Sequence, residues 1–568
     1  SPCVNAGSNL LSVGAADIDG EARTNGPAVD IGCDEFTSGG IAGLLTVAIA
    51  ADLTNGCVGA AMPFRSVITG KANGYVWAWG DGLKSTNAPI VSHAYAVTNE
   101  YAIVLTASNN DMTTAATLAV HIVSGYTNYV SLAGVPLPPY TSWATAASNI
   151  QDAVDANVYV GGVVLVDDGV YDLGGRAQYG ITNRVVIDRP LTVMAANPTP
   201  GATTIRGQGP AGSAAIRCVY VGSGAALAGF TLTNGYTKTS GDTYKERSGG
   251  GAWCEPDGVV SSCVLVGNSA SYEGGGAYGG LIRNCLVMRN SSWNAGGISR
   301  AAVDNSTVAT NQATGSGGGT YGCTTVSNSI VYFNRAPIST NDVGSSFSYS
   351  CTWPMPGGGT GNISNDPQFV SLAGGDFNLL GSSPCRNTGT NQSWMATATD
   401  LDRKSRVINV TVDMGAYEFT PTLHKIMAAA ALGGTMIPVG AVWVEDASNQ
   451  TFSITADTYY AILDVQVDAL STGAVSSYVF MSVVTNHTIY ADFAELLTTN
   501  GTPHRWLALN GLTNDAVDVE DWKDTDGDGM AAWKEWHAGT DPTNVASLFA
   551  ITNAVPPPPA GRVLITFS

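Results

Sequence analysis

The sequence predicts an all-β protein of several domains, and three observations predict it. Of 568 residues 68 are glycine and only 12% are Asp, Glu, Lys or Arg, about half the usual charged share. The surplus lies in Gly, Ser, Thr, Asn, Ala and Val, a mixture suited to short strands joined by tight turns. Between 42 and 125, apolar runs such as LLTVAIAADL and YAIVLTASN alternate with turn residues, the pattern of a small antiparallel sandwich. From about 158 to 335 the chain repeats with a period near 22, which predicts a solenoid of short strands. A chain of this length is too long for one core and should hold about three to five domains.

The formal net charge is −20. Nucleic acid and anionic membranes both require basic patches, so this balance argues against either partner and points to solubility or calcium. Ten cysteines are present with no CxxC metal or redox signature, which fits an exported protein with some disulfides better than a reduced cytosolic one. No run of eighteen apolar residues occurs, so no membrane-spanning helix is expected.

The first element is a repeat. SPCVNAGSNL at the N-terminus returns at 383 as SPCRNTGTNQ. Asp17-Ile18-Asp19 answers to Asp400-Leu401-Asp402, Val29-Asp30-Ile31-Gly32 to Val412-Asp413-Met414-Gly415, and Glu35-Phe36 to Glu418-Phe419. The second copy closes the domain before it. Residues 1–36 are thus expected to be a closing element without its own domain, which predicts either a longer repetitive parent chain or molecules joined head to tail.

In the second element, 42–125, three segments stand in order: Trp77-Ala78-Trp79-Gly80-Asp81-Gly82, His93-Ala94-Tyr95 and Tyr101 to Thr106. They resemble the WxWGDG, HxY and YxVxLT segments of PKD domains, and the resemblance implies an Ig-like sandwich used as a spacer or adhesive unit. Residues 142–155, SWATAASNIQDAVD, predict a helix capped by Thr141 or Ser142, with Trp143, Ala147, Ile150 and Val154 on one face, a lid for the end of a sheet.

The repeats under that lid read CVLVGN (263–268), CLVMRN (285–290), STVATN (306–311) and SIVYFN (329–334), with GGGAW, GGGAY, GGI and GGGTY between them. GFTLTN (229–234) is expected in the same register. Coils about 4.8 Å apart would stack like on like: Asn234, Asn268, Asn290, Asn311 and Asn334 as an amide ladder, Cys263 on Cys285, and Trp253, Tyr278 and Tyr321 as an aromatic column. The charged residues Glu255, Asp257, Glu273, Arg283, Arg289, Arg300, Asp304 and Arg335 form no common column, so no catalytic groove is expected. The stretch 127–420, ending in Asp366-Pro367-Gln368-Phe369, Ser383-Pro384-Cys385 and Val412 to Phe419, resembles the right-handed parallel β-helix of bacterial surface proteins, including the pectate-lyase-like group. Cys351 and Cys385 flank the closing part and are placed to clip it to the last coils. Cys3 has no matching partner in its copy, where Cys33 or Cys57 would substitute.

Residues 424–494, with GGTMIPVG and YVFMSVVTNHTIYADF, resemble the internalin-type B-repeat, which implies a small β spacer. Within 500–547, DTDGDGMAAWKE places oxygen ligands at positions 1, 3, 5, 7 and 12 of a calcium loop and Gly at 6. The ligands would be Asp524, Asp526, Asp528, the Met530 carbonyl and Glu535 around Gly529, extended by Asp541, and the loop resembles those of thrombospondin type 3 and dockerin modules. Residues 548–568, after a proline spacer, start a further β unit.

The expected function is that of an extracellular, cell-surface structural and adhesive protein, a stalk or fibre with calcium as a structural ion and no catalytic residues. Its partners would be its own copies, glycans or cell surfaces. The rivals are a β-helix carbohydrate-active enzyme of the lyase or hydrolase type, a glycan-binding module and a passive spacer.

Overall fold

The computed structural model describes residues 2–8, 27–33, 41, 43–408, 410–549, 551–555 and 564–567. It divides into two compact units, Ser1–Phe419 and Thr420–Ser568. Both are built mainly of strands, and the first unit holds several long parallel sheets.

The first unit begins with two facing sheets. Thr46–Ala50 and Ile90–His93 flank Met62–Thr69 in an antiparallel sheet of three strands. Opposite it, Asn99–Ser108 and Thr113–Val123 form the centre of a six-stranded sheet. Trp77 and Trp79 alternate inward with Tyr95, Phe64 and Ile103 to fill the space between. The two indoles stack at 5.3 Å, and Tyr95 Oη donates to the Trp79 carbonyl at 3.0 Å, so the buried hydroxyl is satisfied.

From Thr127 onward the chain feeds three sheets in rotation. The first runs from Thr127–Val130 through Val259–Ser261, Leu281–Arg283 and Ala302–Asp304 to Phe347–Ser348. The second runs from Gly169–Tyr171 through Val264–Val266, Leu286–Met288, Thr307–Ala309 and Ile330–Tyr332 to Cys351–Thr352. The third includes Ile181–Ile187, Ala252–Cys254, Ala277–Tyr278, Ile298–Ser299 and Thr320–Tyr321. In the three-residue strands of the first two sheets from Ala226 onward the middle side chain points inward. Val260, Ile282, Val303 and Val326 thus stack in one column, and Leu265, Val287, Val308 and Val331 in another, all fully buried. Strands this short hold because each rung is bonded on both sides by the coils next to it. The Gly runs are required where coils meet: a Cβ on Gly250, Gly275, Gly296 or Gly318 would come within 2.4 to 2.5 Å of the next coil's backbone.

The amide ladder forms, with one change. Asn268 N donates to Asn290 Oδ1 at 2.9 Å, Asn290 N to Asn311 Oδ1 at 3.0 Å, and Asn311 N to Asn334 Oδ1 at 2.9 Å. Each Nδ2 repeats the contact at 2.9 to 3.0 Å, and Asn341 extends the column. Asn234 is not a rung. Gly235 donates to Asn268 Oδ1 in its place, while Asn234 takes the left-handed position that Gly267, Arg289, Thr310 and Phe333 hold in later coils. The Cys263–Cys285 stack also forms and continues as Ser306, Ser329 and Ser350, each accepting from the backbone of the residue before it in the column. The aromatic column differs: Ser299 lies between Tyr278 and Tyr321, and Tyr220 extends it on the other side of Trp253.

The helix predicted over 142–155 is two elements, a 3-10 turn Trp143–Thr145 capped by Ser142 and an α-helix Ile150–Ala156 capped by Asn149. Ala147 breaks it, since that residue bridges to Val130 in the first sheet. Trp143 is consequently exposed, while Ala147, Ile150 and Val154 are buried over the end of the stack as expected.

The closing element does not sit on an end of the stack. It lies along the outer face of the second sheet, where Val264, Leu286 and Ile330 pack on Phe369, Phe377, Leu379, Leu401, Met414 and Ala416. Polar contacts fix its place: Ala416 N donates to Thr307 Oγ1 at 3.0 Å, Gly415 N to Asn328 O at 2.7 Å, and Asn284 Nδ2 to Thr399 O at 2.9 Å.

In the second unit Leu423–Ala430, Gly440–Glu445, Tyr460–Val467 and His487–Glu495 belong to a five-stranded sheet, facing the strands Gly434–Ile437, Ser448–Ala456 and Ser477–Val483 over a core of Ile426, Phe452, Val465 and Ile489. Helices His504–Leu509, Val517–Trp522 and Ala532–Ala538 follow, and then an antiparallel pair, Ile551–Val555 with Leu564–Phe567. Among the described residues no helix is long and apolar enough to cross a membrane.

Candidate functional site

The acidic loop folds on its own backbone. Asp524 Oδ1 accepts from Gly527 N at 2.8 Å and Asp528 N at 3.1 Å, and its Oδ2 accepts from Gly529 N at 2.8 Å. Asp526 Oδ1 accepts from Asp528 N, and Asp528 Oδ1 from Met530 N. Gly527 and Gly529 both take the positive φ that this tight coil demands. One oxygen from each of Asp524, Asp526 and Asp528 lies within 4.8 Å of the others.

Glu535 stands on the helix Ala532–Ala538 and is fully buried. Its Oε1 accepts from Thr540 Oγ1, but Oε2 has no donor, and neither do the buried Oδ2 atoms of Asp526 and Asp528. Burial first, and then Asp526 and Asp528, push the Glu535 carboxyl up to about 7. Orphaned carboxylate oxygens are costly unless a cation serves them, so the donor set fits a hard divalent ion. Asp541 Oδ1 accepts from Thr543 N and Oγ1, and like Glu535 it stands outside the group of three. The sequence reading missed Asp521, fully buried on Val517–Trp522 and bonded through Oδ2 to Thr498 and Asn500. Its only signal was a second acid beside Glu520 three residues before the loop.

On the coils, four of the charged residues that the sequence reading left scattered form two pairs. Arg283 and Asp304 are register neighbours, against expectation, and meet at 3.2 Å. Asp304 also accepts from Gln392 Nε2 and Trp394 Nε1, and so holds the closing element. Glu273, almost fully buried, takes Arg300 at 2.9 Å and Ser299 Oγ. Glu255 accepts from Tyr179 and Tyr220.

The duplicated element is the second candidate. In the C-terminal copy Gly389 N donates to Val412 O, Met414 N to Cys385 O, and Asn387 N to Asp413 Oδ1. In the N-terminal copy Gly7 N donates to Val29 O, Ile31 N to Cys3 O, and Asn5 N to Asp30 Oδ1. Asn5 and Asn387 share the same left-handed φ of 53° and 52°. The motif parts Asp17 to Asp19 and Glu35-Phe36 lie outside the described residues.

At the C-terminal copy Asp400, Asp413 and Glu418 are buried around Arg406, which no solvent reaches. Arg406 donates to Asn284 Oδ1 on the stack and to Gly415 O, and pairs with Glu418 at 3.0 Å. Burial raises all three carboxyls against the pull of the guanidinium, Glu418 to about 9. Cys385 lies in hydrogen-bond contact with Cys351, as their positions in the sequence suggested, and its thiol is pushed far up by that contact and by burial. Cys351 and Cys385 are thiols, not the disulfide that would clip the closing part; Cys33 is exposed and Cys57 buried.

A scan against protein-family models returns no match, and neither does a search of curated proteins.

Proposed function

We propose that this chain is an extracellular structural and adhesive protein of a cell surface, built on a right-handed parallel β-helix with a PKD-like sandwich before it and a B-repeat-like β domain and a calcium loop after it. The observation that carries this reading is the duplicated closing element. One copy covers the outer flank of a stack, with Met414 fully buried; in the other the matching Ile31 is 61% exposed. The flank in this chain is already taken by its own C-terminal copy. The N-terminal copy would therefore cover another stack of the same build, in a second molecule or in a longer form of this chain, and such links make a stalk or fibre.

The reading assigns no catalytic residues, because Arg283 with Asp304 and Arg300 with Glu273 are already engaged in ion pairs on the coils. Calcium would be held by Asp524, Asp526, Asp528, the Met530 carbonyl and Glu535, stiffening the helices around the loop; Asp541 would join only by giving up its turn. Electron microscopy of native material tests the assembly. Filaments with a repeat near one chain length support association between molecules, and thin rods of many stacks support the longer chain. Compact, unassociated single particles would overturn both.

A further inference from the structure

Away from the calcium loop and the duplicated element, the stack carries an open groove of about 620 Å³ at the turns that follow the amide ladder. One column crosses it. Tyr272 N donates to Arg247 O, Tyr272 and Trp293 stack at 5.3 Å, and Gly315 N donates to Trp293 O, so the order along the stack is Arg247, Tyr272, Trp293, Gly315. The first three build a cation on a ring on a ring, with the Arg247 guanidinium 5.7 Å from the Tyr272 centroid. The fourth position is bare. Any Cβ at Gly315 would come to 3.2 Å from Trp293 Nε1, and glycine leaves that side of the indole without a side chain; Trp293 is 49% exposed. Beside the column runs a row of hydroxyls, Ser269 and Ser291, bonded to each other at 3.1 Å.

Arg247 is the only charged residue lining the groove, in a chain of net charge −20. Its Nε donates to Ser271 Oγ, and among the described residues no acceptor meets its terminal nitrogens. Among the described residues it has no carboxylate partner, unlike Arg283 and Arg300 on the same coils. A flat apolar face, a row of hydroxyls and one unpaired guanidinium together match the C–H face, the hydroxyls and the acidic group of an anionic sugar.

We propose that this groove binds an anionic saccharide, with a sugar ring laid on Trp293 and its carboxylate or sulfate drawn to Arg247. The proposal sharpens the surface-contact part of the reading above but does not depend on assembly, so microscopy and sugar binding can fail separately. The test is titration of the full chain with a hyaluronan hexasaccharide, a chondroitin sulfate hexasaccharide and a neutral dextran oligosaccharide of similar length. Binding of at least one anionic probe is expected, together with quenching of Trp293 fluorescence and weakening of about ten-fold or more in both Trp293→Ala and Arg247→Gln. Unchanged melting of the two variants shows that they fold. Hyaluronan binding assigns a carboxylate and chondroitin-only binding a sulfate. The proposal is overturned if no anionic probe binds, if dextran binds equally well, or if both variants bind like the parent.

Discussion

Residues 2–8 with 27–33 and residues 385–389 with 412–415 make the same three backbone-directed bonds, yet their surroundings differ. In the C-terminal copy Cys385 and Met414 are sealed from solvent and Gly415 lies so close to the stack that a Cβ would fall 2.8 Å from Thr307 Oγ1. In the N-terminal copy no described residue lies within 4 Å of the Cβ position at Gly32, and Ile31 is mostly exposed. The difference teaches that this element folds by local hydrogen bonding and is held in place by a flank. Local geometry is written in the motif, whereas burial depends on what the motif meets.

The largest effect should come from the cluster that locks the covered copy. Arg406→Met leaves Asp400, Asp413 and Glu418 buried without their cation, and is expected to cost about 3 to 5 kcal/mol in denaturant unfolding. The same cluster sets a pH dependence. Glu418 is held near 9, above its unfolded value, so its contribution is complete in acid below the unfolded pKa and is lost as pH rises toward 9. Melting of the first unit should fall over that window, and Glu418→Gln should flatten the slope. A parallel profile in the variant would exclude Glu418 as the cause.

The comparison itself breaks or holds on a pair of truncations. Met414→Ala opens a cavity in a packed flank and should cost about 2 to 5 kcal/mol, whereas Ile31→Ala should stay within about 0.5 kcal/mol in the isolated chain. Equal losses would mean that Ile31 is covered after all. Smaller again is the ladder. Asn311→Ala strands the Asn290 amide and should cost about 1 to 3 kcal/mol, read as loss of hydrogen-exchange protection at Asn290. A modest gain is expected from calcium: at 5 mM ion and a Kd of about 0.1 to 1 mM the second unit should gain about 1 to 2 kcal/mol. Glu535→Gln should remove most of that gain, and a gain independent of Glu535 would place the ion elsewhere.

The regular coils were legible in the sequence because their period leaves no freedom: Asn268 to Asn334 and Cys263 on Cys285 follow from counting. Two points were miscounted. Thr231 pairs with Val264, so the rung position of that coil is Gly235 and Asn234 stands one residue early, while Arg283 and Asp304 each stand two residues before Cys285 and Ser306 and so share a register that the charges alone did not suggest. Ser299 in the aromatic column escaped because its coil, GGI, has no aromatic residue to align. The lateral cover was invisible for a different reason. The outward Val264, Leu286 and Ile330 read as ordinary strand residues, and only contact across a long stretch of chain shows that both faces of the second sheet are buried. The tight coil of the acidic loop was legible down to Gly529, while Asp521 lay outside its motif.

The central claim is that residues 127–352 wind as stacked rungs whose like side chains lie over one another. An experimental density map of residues 258–341 tests it most directly. The account predicts Asn268, Asn290, Asn311 and Asn334 in one column with each Nδ2 about 3 Å from the next Oδ1. The same four side chains dispersed to solvent or to different sheets would contradict it.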